Sequence, residues 1–230
     1  MALSRNIPQA SFALKNRKWA PKEFMGVELF EKTLGVIGLG RIGSNVAERA
    51  RAFKMKILGY DPFITQERAN LLGVELVEMG DLLTRSDFVS LHTPGQADGS
   101  PLLGKDQFDQ MKPGVRIVNC ARGSLIDDSA LISAIQDKKV AGAALDVYHS
   151  EPLDLDSPLL KVDEIICTPH LGASTGEAQV KVATSMCDQI IDYLKNGNVR
   201  NAVNVPSIDA ETLALIKPNI TLGEDLGSFV

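Results

Sequence analysis

One segment near the start of the chain constrains the fold more than any other. An uninterrupted apolar run, TLGVIG at 33–38, closes in the glycine-rich sequence GLGRIG, and a helical apolar period follows it over 42–53. A second apolar run, KILGYD at 56–61, ends in Asp61, which lies 23 residues after Gly38. This order of strand, glycine turn, helix, strand and acid is typical of the dinucleotide-binding unit of a parallel α/β sheet.

Each residue type in this pattern has a physical reason. Gly38 permits a tight turn, Gly40 lets the backbone approach a pyrophosphate, and Gly43 lets helix and strand pack closely. The helix N-terminus offers free N–H groups and the positive end of the helix dipole to phosphate oxygens. Asp61 would accept hydrogen bonds from the hydroxyls of an adenosine ribose. The spacing therefore favours a dinucleotide site; the alternative is a purely structural strand-to-helix turn.

The alternation of strand and helix continues along most of the chain. Apolar runs predict further strands at 74–77, 87–92, 115–120, 140–147 and 164–168, and helical periods lie at 65–73, 79–86, 104–111 and 128–138. A long last helix is predicted to begin in a capping box between Ser174 and Glu177 and to end at Gly197. Together they predict a Rossmann-type, doubly wound parallel sheet of about six or seven strands with helices on both faces.

Composition excludes several classes of function. The net charge of −5 gives no general attraction to nucleic acid. No apolar run approaches the roughly 18 residues that a membrane helix needs. Three cysteines without a C-x-x-C pair favour a reducing, cytoplasmic location, and no spacing of ligand residues predicts a metal site.

Three polar residues stand just after predicted strands, where open α/β sheets bind their ligands. They are Arg122, Glu151 and His170. A guanidinium suits a carboxylate, and a histidine beside a carboxylate is an acid or base tuned near neutral pH. Spacing alone does not join the three residues. The alternative is a surface arginine, a capping glutamate and a hydrogen-bonded histidine.

Longer motifs show a family resemblance over nearly the whole chain. They are RNIPQA (5–10), KTLGVIGLGRIG (32–43), YDPF (60–63), LHTP (91–94), NCARGSLID (119–127), AGAALDVYHSEP (141–152), TPHLGAST (168–175) and NAVNVPS (201–207). With them, the chain resembles the NAD-dependent D-2-hydroxyacid dehydrogenases. The run HLGAST followed by EAQ, and GVELFEKTLG before the glycines, favour the phosphoglycerate-oxidising branch.

The resemblance implies roles for individual residues. Arg122 would hold the substrate carboxylate and carbonyl, His170 would be the acid/base, and Glu151 would orient and charge it. The positions that match contacts to NAD are Gly38, Gly40, Arg41, Ile42, Gly43, Asp61, Thr93, Cys120, Ala121, Arg122, Asp146, His170, Leu171, Gly172 and Ala173.

The resemblance also implies a division of the chain. Residues 1–28 would form an inter-domain helix and connector, 29–203 the NAD-binding domain, and 204–230 a truncated segment that returns to a substrate domain absent from this sequence. The chain alone is therefore expected to be inactive toward its small 2-hydroxy or 2-keto acid substrate.

A homodimer paired through the cofactor domains is expected as well, because Leu3, Ile7 and Leu14 would otherwise be stranded on the first helix. Two other functions stay open. One is a glyoxylate/hydroxypyruvate or other D-2-hydroxyacid dehydrogenase. The other is an NAD(H)-sensing interaction protein similar to the dehydrogenase-like corepressors.

Overall fold

The computed structural model describes residues 1–204 and 210–228. Its centre is a sheet of seven parallel strands in the order β3-β2-β1-β4-β5-β6-β7. The strands are β1 (Thr33–Ile37), β2 (Lys56–Tyr60), β3 (Glu75–Leu76), β4 (Phe88–Leu91), β5 (Val115–Asn119), β6 (Val140–Leu145) and β7 (Ile165–Cys167). The predicted fold class is confirmed, and every predicted strand is present.

Helices alternate with the strands as the apolar periods predict. They are α1 (Ile7–Lys15), α2 (Arg41–Ala52), α3 (Gln66–Leu72), α4 (Met79–Arg85), α5 (Lys105–Gln110), α6 (Asp128–Gln136), α7 (Gly176–Asn196) and α8 (Ala210–Gly227). Within the described ranges, none of these helices is long and apolar enough to cross a membrane.

The predicted capping box at the start of α7 is wrong by one residue. Thr175, not Ser174, is the N-cap, and its Oγ1 accepts a hydrogen bond from the N–H of Ala178 at 3.1 Å. Glu177 is therefore the second helical residue, one short of the position from which a capping-box glutamate reaches back to the cap. The helix ends as predicted, just before Gly197, which has the left-handed conformation.

The chain forms two compact units, residues 1–172 and 173–230. The first contains the whole sheet, and the second contains α7 and α8. The side chains of α7 are all at least partly exposed. Residues 205–209 lie outside the described residues; all of them fall within the predicted returning segment, and 205–207 also fall within the NAVNVPS motif. The domain boundaries at 28/29 and 203/204 stay predictions.

Both faces of the sheet are covered by apolar packing. Along β1, Leu34 and Val36 belong to one buried cluster, whereas Ile37 belongs to the other. On β2, Ile57 and Leu58 divide between the two clusters in the same way. Neighbouring residues of a strand point to opposite faces, so strands buried on both faces need the uninterrupted apolar runs seen in this sequence. Each such side chain contributes about 1.5–3 kcal/mol when fully buried.

The strand order places a crevice at a defined point of the sheet. β1 lies beside β4, and the chain progresses outward from this pair in opposite directions. In open α/β sheets, ligands bind at this switch point, beyond the carboxyl ends of the strands. The glycine-rich turn follows β1, and His92 and Thr93 follow β4. The fold therefore brings these two segments together at one edge.

Candidate functional site

The glycine-rich turn is held by close backbone contacts. Gly38 has φ +91°, and a Cβ built there would lie 2.6 Å from the carbonyl oxygen of His92. A Cβ on Gly43 would lie 1.9 Å from the carbonyl oxygen of Gly38. Gly40 is different, because a Cβ built there meets nothing within 4 Å. The outer two glycines are therefore needed by the fold, and the middle one leaves open space above the turn.

That open space adjoins the first turn of α2. Gly40 is the N-cap residue and has no side chain with which to cap the helix, so the first N–H groups of α2 have no side-chain cap. Arg41 is the first helical residue, and the side chain of Ile42 is 66% exposed. A helix N-terminus with free N–H groups and a bare glycine backbone is suited to bind a diphosphate.

A cavity of about 320 Å³ lies beside this turn. Asp61 is fixed at its wall, because its Oδ2 accepts the N–H of Leu39 at 2.7 Å and its Oδ1 accepts the N–H of Phe63 at 2.9 Å. Each oxygen keeps a further lone pair for a ligand hydroxyl. The lining residues are Ile37, Gly38, Gly40, Tyr60, Asp61, Pro62, Phe63, His92, Thr93, Pro94, Gly95, Gln96 and Leu102. These features together fit the adenosine and pyrophosphate of NAD.

Half-buried His92 of this cavity and buried Ser90 beneath it form a pair that is absent from the predicted site residues. The Oγ of Ser90 lies 2.8 Å from Nε2 of His92. Burial lowers the pKa of His92, which favours the neutral ring. Ser90 lies on β4 and His92 directly follows it. Side chains two residues apart along an extended segment point to the same face. That spacing is the signal that could have found the pair.

The side chains of His170 and Glu151 are in direct contact. Nδ1 of His170 lies 2.6 Å from Oε2 of Glu151, and Oε1 of Glu151 accepts the N–H of Tyr148 at 2.9 Å. The hydrogen bonds from His170 and from the Tyr148 N–H lower the pKa of Glu151. An ionised glutamate can only accept, so Nδ1 is assigned the proton and Nε2 stays free for chemistry.

The pair lines a second cavity of about 640 Å³. His170 is 55% exposed and Glu151 35% exposed at their side chains, so the pair is open to a ligand. Apart from these two residues the lining is mostly apolar and consists of Tyr148, Pro152, Leu153, Leu155, Leu160, Cys167, Thr168 and Pro169. The predicted histidine and carboxylate are therefore brought together, at the carboxyl end of the sheet.

Arg122 lies on the loop that follows β5. The carboxamide of Asn119 closes the turn, donating to the carbonyl of Arg122 at 2.9 Å and accepting the N–H of Ala121 at 3.1 Å. A Cβ on Gly123 would lie 1.9 Å from the carbonyl carbon of Tyr148, so the loop packs directly on the chain that leads to Glu151. The guanidinium is exposed and donates to the carbonyl of Ala121 at 2.6 Å.

The remaining predicted contacts are distributed around the same edge of the sheet. Asp146 accepts the N–H groups of Leu171 and Gly172, and these three residues form one cluster. Cys120 is an exposed free thiol directly after β5. Ala173 begins the second compact unit, so its contact with the cofactor stays a prediction.

Comparison with known proteins identifies relatives of this chain. D-3-phosphoglycerate dehydrogenase of Archaeoglobus fulgidus is 48% identical over 99% of this chain, and that of Bacillus subtilis is 43% identical over all of it. Each alignment covers 43% of the relative, so the chain spans less than half the length of these curated relatives.

Solved structures agree with the fold. A glyoxylate reductase from Paecilomyes thermophila matches with a TM-score of 0.81 and 33% identity, covering 88% of this chain and 61% of that one. D-lactate dehydrogenase from Escherichia coli matches with a TM-score of 0.76 and 34% identity, covering 85% and 61%.

The family model described as "D-isomer specific 2-hydroxyacid dehydrogenase, NAD binding domain" matches residues 1–172, the unit that holds the sheet, the glycine turn and the His170–Glu151 pair. The chain therefore belongs to the D-isomer specific 2-hydroxyacid dehydrogenase family and carries its NAD-binding domain.

Proposed function

We propose that this chain is the cofactor-binding part of a D-3-phosphoglycerate dehydrogenase, which oxidises 3-phospho-D-glycerate to 3-phosphohydroxypyruvate in L-serine biosynthesis. The observation that carries the proposal is the 2.6 Å contact between His170 and Glu151 on the sheet edge that also holds the glycine turn. The names of the curated relatives support the choice of substrate.

Binding of NAD is assigned to the residues that fit it. The backbone from Gly38 to Gly43 would hold the pyrophosphate, and Asp61 would accept the ribose hydroxyls. Thr93, Cys120, Ala121, Asp146 and the turn of His170 would line the rest of the site. When bound, NAD supplies the acceptor for hydride, which the protein itself lacks.

His170 moves the proton in this proposal. Its Nε2, which makes no hydrogen bond within the described residues, accepts the hydroxyl proton during oxidation and returns it during reduction. Glu151 holds Nδ1 and stabilises the charged ring that results. Arg122, whose guanidinium is exposed, would bind the carboxylate of the substrate and orient its carbonyl.

A glyoxylate or hydroxypyruvate reductase is the second candidate, because a glyoxylate reductase is among the matching structures at 33% identity. The phosphoglycerate enzymes match at 43–48% identity and so favour the first candidate. An NAD(H)-sensing interaction protein would keep the fold and the dinucleotide site but would not need turnover.

The deciding experiment is turnover by the complete protein. NADH formation is measured with 3-phosphoglycerate, and NADH consumption is measured with hydroxypyruvate and with glyoxylate. The assays compare the native protein with His170→Gln. The control is His149→Gln, which alters an exposed histidine two residues before Glu151. Oxidation of 3-phosphoglycerate that is lost only in His170→Gln is expected. If the protein reduces glyoxylate but does not oxidise 3-phosphoglycerate, the second candidate is favoured. If it turns over none of these substrates, the NAD(H)-sensing interaction protein is favoured.

The chain by itself gives an independent test. It should bind NADH, because the glycine turn and Asp61 lie within one compact unit. Its turnover should be below roughly a thousandth of that of the complete protein, because positioning and water exclusion by a facing domain supply several kcal/mol. Calorimetry with NADH beside a steady-state assay checks both points. Absence of NADH binding would overturn the assigned cofactor site.

We also propose a cytoplasmic homodimer. Ile7, Phe12 and Leu14 of α1 are exposed, which favours a partner on this helix. Leu3, by contrast, is not stranded as expected, because it is buried and its Cδ1 would lie 3.2 Å from a Cβ built on Gly142 of β6. Analytical ultracentrifugation at micromolar concentration tests the dimer, and a strictly monomeric mass would contradict it.

A further inference from the structure

The carboxylate of Asp146 holds both sides of the turn that carries His170. Asp146 follows β6 directly and is only 6% exposed. Its Oδ1 accepts the hydroxyl of Thr168 at 2.5 Å and the N–H of Leu171 at 2.8 Å, and its Oδ2 accepts the N–H of Gly172 at 2.9 Å. These three donors lie two residues before His170 and one and two residues after it. One buried side chain therefore bonds to both ends of the turn, and at the Thr168 end the Tyr148 hydroxyl also donates to the carbonyl of Thr168 at 2.9 Å.

The turn itself supplies little else to hold His170. The backbone of His170 has φ +52°, a left-handed conformation that is uncommon for residues other than glycine. Pro169 has no N–H to donate, and the N–H of His170 makes a bond only within the turn, to the carbonyl of Thr168 at 3.0 Å. The imidazole is more than half exposed, so packing does not fix it. Such a conformation persists where its surroundings impose it.

The charge on Asp146 strengthens this hold. Burial opposes ionisation, but the hydrogen bonds from Thr168, Leu171 and Gly172 outweigh it and keep the pKa of Asp146 below its ordinary value. The carboxylate is therefore ionised near neutral pH, and its bonds are charge-assisted, which makes them about twice as strong as bonds between neutral groups.

We propose that Asp146 is a positioning residue, whose carboxylate sets the Thr168–Gly172 turn so that Nδ1 of His170 meets Glu151 before any dinucleotide binds. This goes beyond the predicted role of Asp146 as a contact to NAD. This proposal rests on the proposed function only in one respect, namely that His170 acts as the acid/base. The hold on the turn is a property of the chain without ligand and can be measured there.

The test is NMR of the 230-residue chain without cofactor. The chain has three histidines, so the ring nitrogens of His170 can be assigned with His170→Gln as the reference. The readouts are the hydrogen exchange of the Leu171 and Gly172 amides and the change that Glu151→Gln causes in the His170 ring resonances. The second readout reports whether His170 and Glu151 still meet, which loss of general stability would not change selectively.

Asp146→Asn keeps the shape of the side chain and removes its charge. We expect exchange of the two amides to rise at least about tenfold. The response of the His170 ring to Glu151→Gln should fall by more than half in the Asp146→Asn background. The control Asp106→Asn removes an exposed carboxylate on α5 and should change neither readout. Unchanged amides and an undiminished response in Asp146→Asn would overturn the proposal and leave Asp146 as a cofactor contact only.

Thr168→Val keeps the carboxylate of Asp146. It tests the proposal if Asp146→Asn does not fold. It removes one of the three donors, so exchange of the Leu171 and Gly172 amides should rise by roughly threefold or more. Unchanged exchange in Thr168→Val would also overturn the proposal. Neither measurement uses cofactor or substrate. Failure of the complete protein to oxidise 3-phosphoglycerate would therefore refute the proposed function without altering these results.

Discussion

Two glycines of the same turn provide a sharp test, because alanine adds the same methyl group at both and the surroundings differ. At Gly43, the new Cβ would lie 1.9 Å from the carbonyl oxygen of Gly38 and 3.0 Å from its carbonyl carbon. At Gly40, the new Cβ would meet nothing within 4 Å. Gly43→Ala therefore tests the fold of the turn, and Gly40→Ala tests the space above it.

The structure gives the size of each effect. Ordinary contact begins near 3.4 Å, so Gly43→Ala must separate two backbone segments by about 1.5 Å. Gly38 cannot move freely, because its N–H donates to the carbonyl of Tyr60 at 2.8 Å. Overpacking of this kind costs about 1–3 kcal/mol, and rigid backbone places it at the upper end. For a chain of this size, that lowers Tm by roughly 6–12 °C.

Gly40→Ala should leave stability nearly unchanged. Its φ of −65° suits any residue, and the gain from a less flexible unfolded chain is offset by the poorer N-cap. We expect a change within about 0.5 kcal/mol in the free energy of unfolding. The methyl group would occupy the space where the pyrophosphate approaches, so NADH affinity should fall at least about tenfold, or 1.4 kcal/mol.

Urea unfolding followed by circular dichroism, together with calorimetric titration of NADH, separates the two effects. The expected pattern is a destabilised Gly43→Ala chain and a stable Gly40→Ala chain that binds NADH weakly. Native stability in Gly43→Ala would refute the close-packing argument. Native NADH affinity in Gly40→Ala would show that the pyrophosphate does not lie on this turn.

Three further outcomes are expected. Asp61 should repel a 2′-phosphate, so NADH should bind at least about tenfold more tightly than NADPH, and titrations showing equal affinities would contradict this. Burial lowers the pKa of His92 from 6.5, so the folded chain binds this proton less readily than the unfolded one. The free energy of unfolding should then decrease as pH falls below about 6.5. His92→Gln should remove this part of the pH dependence in urea unfolding measured between pH 5 and 7.5. An identical pH dependence in the native chain and in His92→Gln would contradict this expectation. Glu151→Gln should lower turnover of the complete protein by roughly 10²- to 10⁴-fold without weakening NADH binding, and unchanged steady-state rates would exclude the pairing with His170 from the mechanism.

The sequence predicts the sheet well because a parallel strand buried on both faces has a distinct pattern. The apolar run before Gly38 cannot alternate with polar residues, since both sides of β1 pack into the core. The capping of α7 is less determined. Ser174 and Thr175 are both competent N-caps, and the choice between them depends on where the backbone turns, which composition does not specify. In the structure the N-cap is Thr175, one residue after the predicted Ser174.

The candidate site is less predictable, because it depends on the alignment of strands that are distant in sequence. Leu145, the last residue of β6, pairs with Cys167, the last residue of β7. Asp146 and Thr168 therefore leave the sheet at the same level and can share a hydrogen bond. Nothing in either segment alone specifies that alignment, and a shift by one residue would turn their side chains to opposite faces.

The same alignment extends to the neighbouring strand and explains why the site lies where it does. Asn119, the last residue of β5, pairs with Leu145, so three strands end at one level. At that level Asn119 closes the turn of Arg122, and one residue past it Asp146 closes the turn of His170. Each catalytic candidate thus stands on an exposed turn whose position is fixed by a buried polar side chain below it. This arrangement leaves Arg122 and His170 open to a substrate while the sheet keeps them in place.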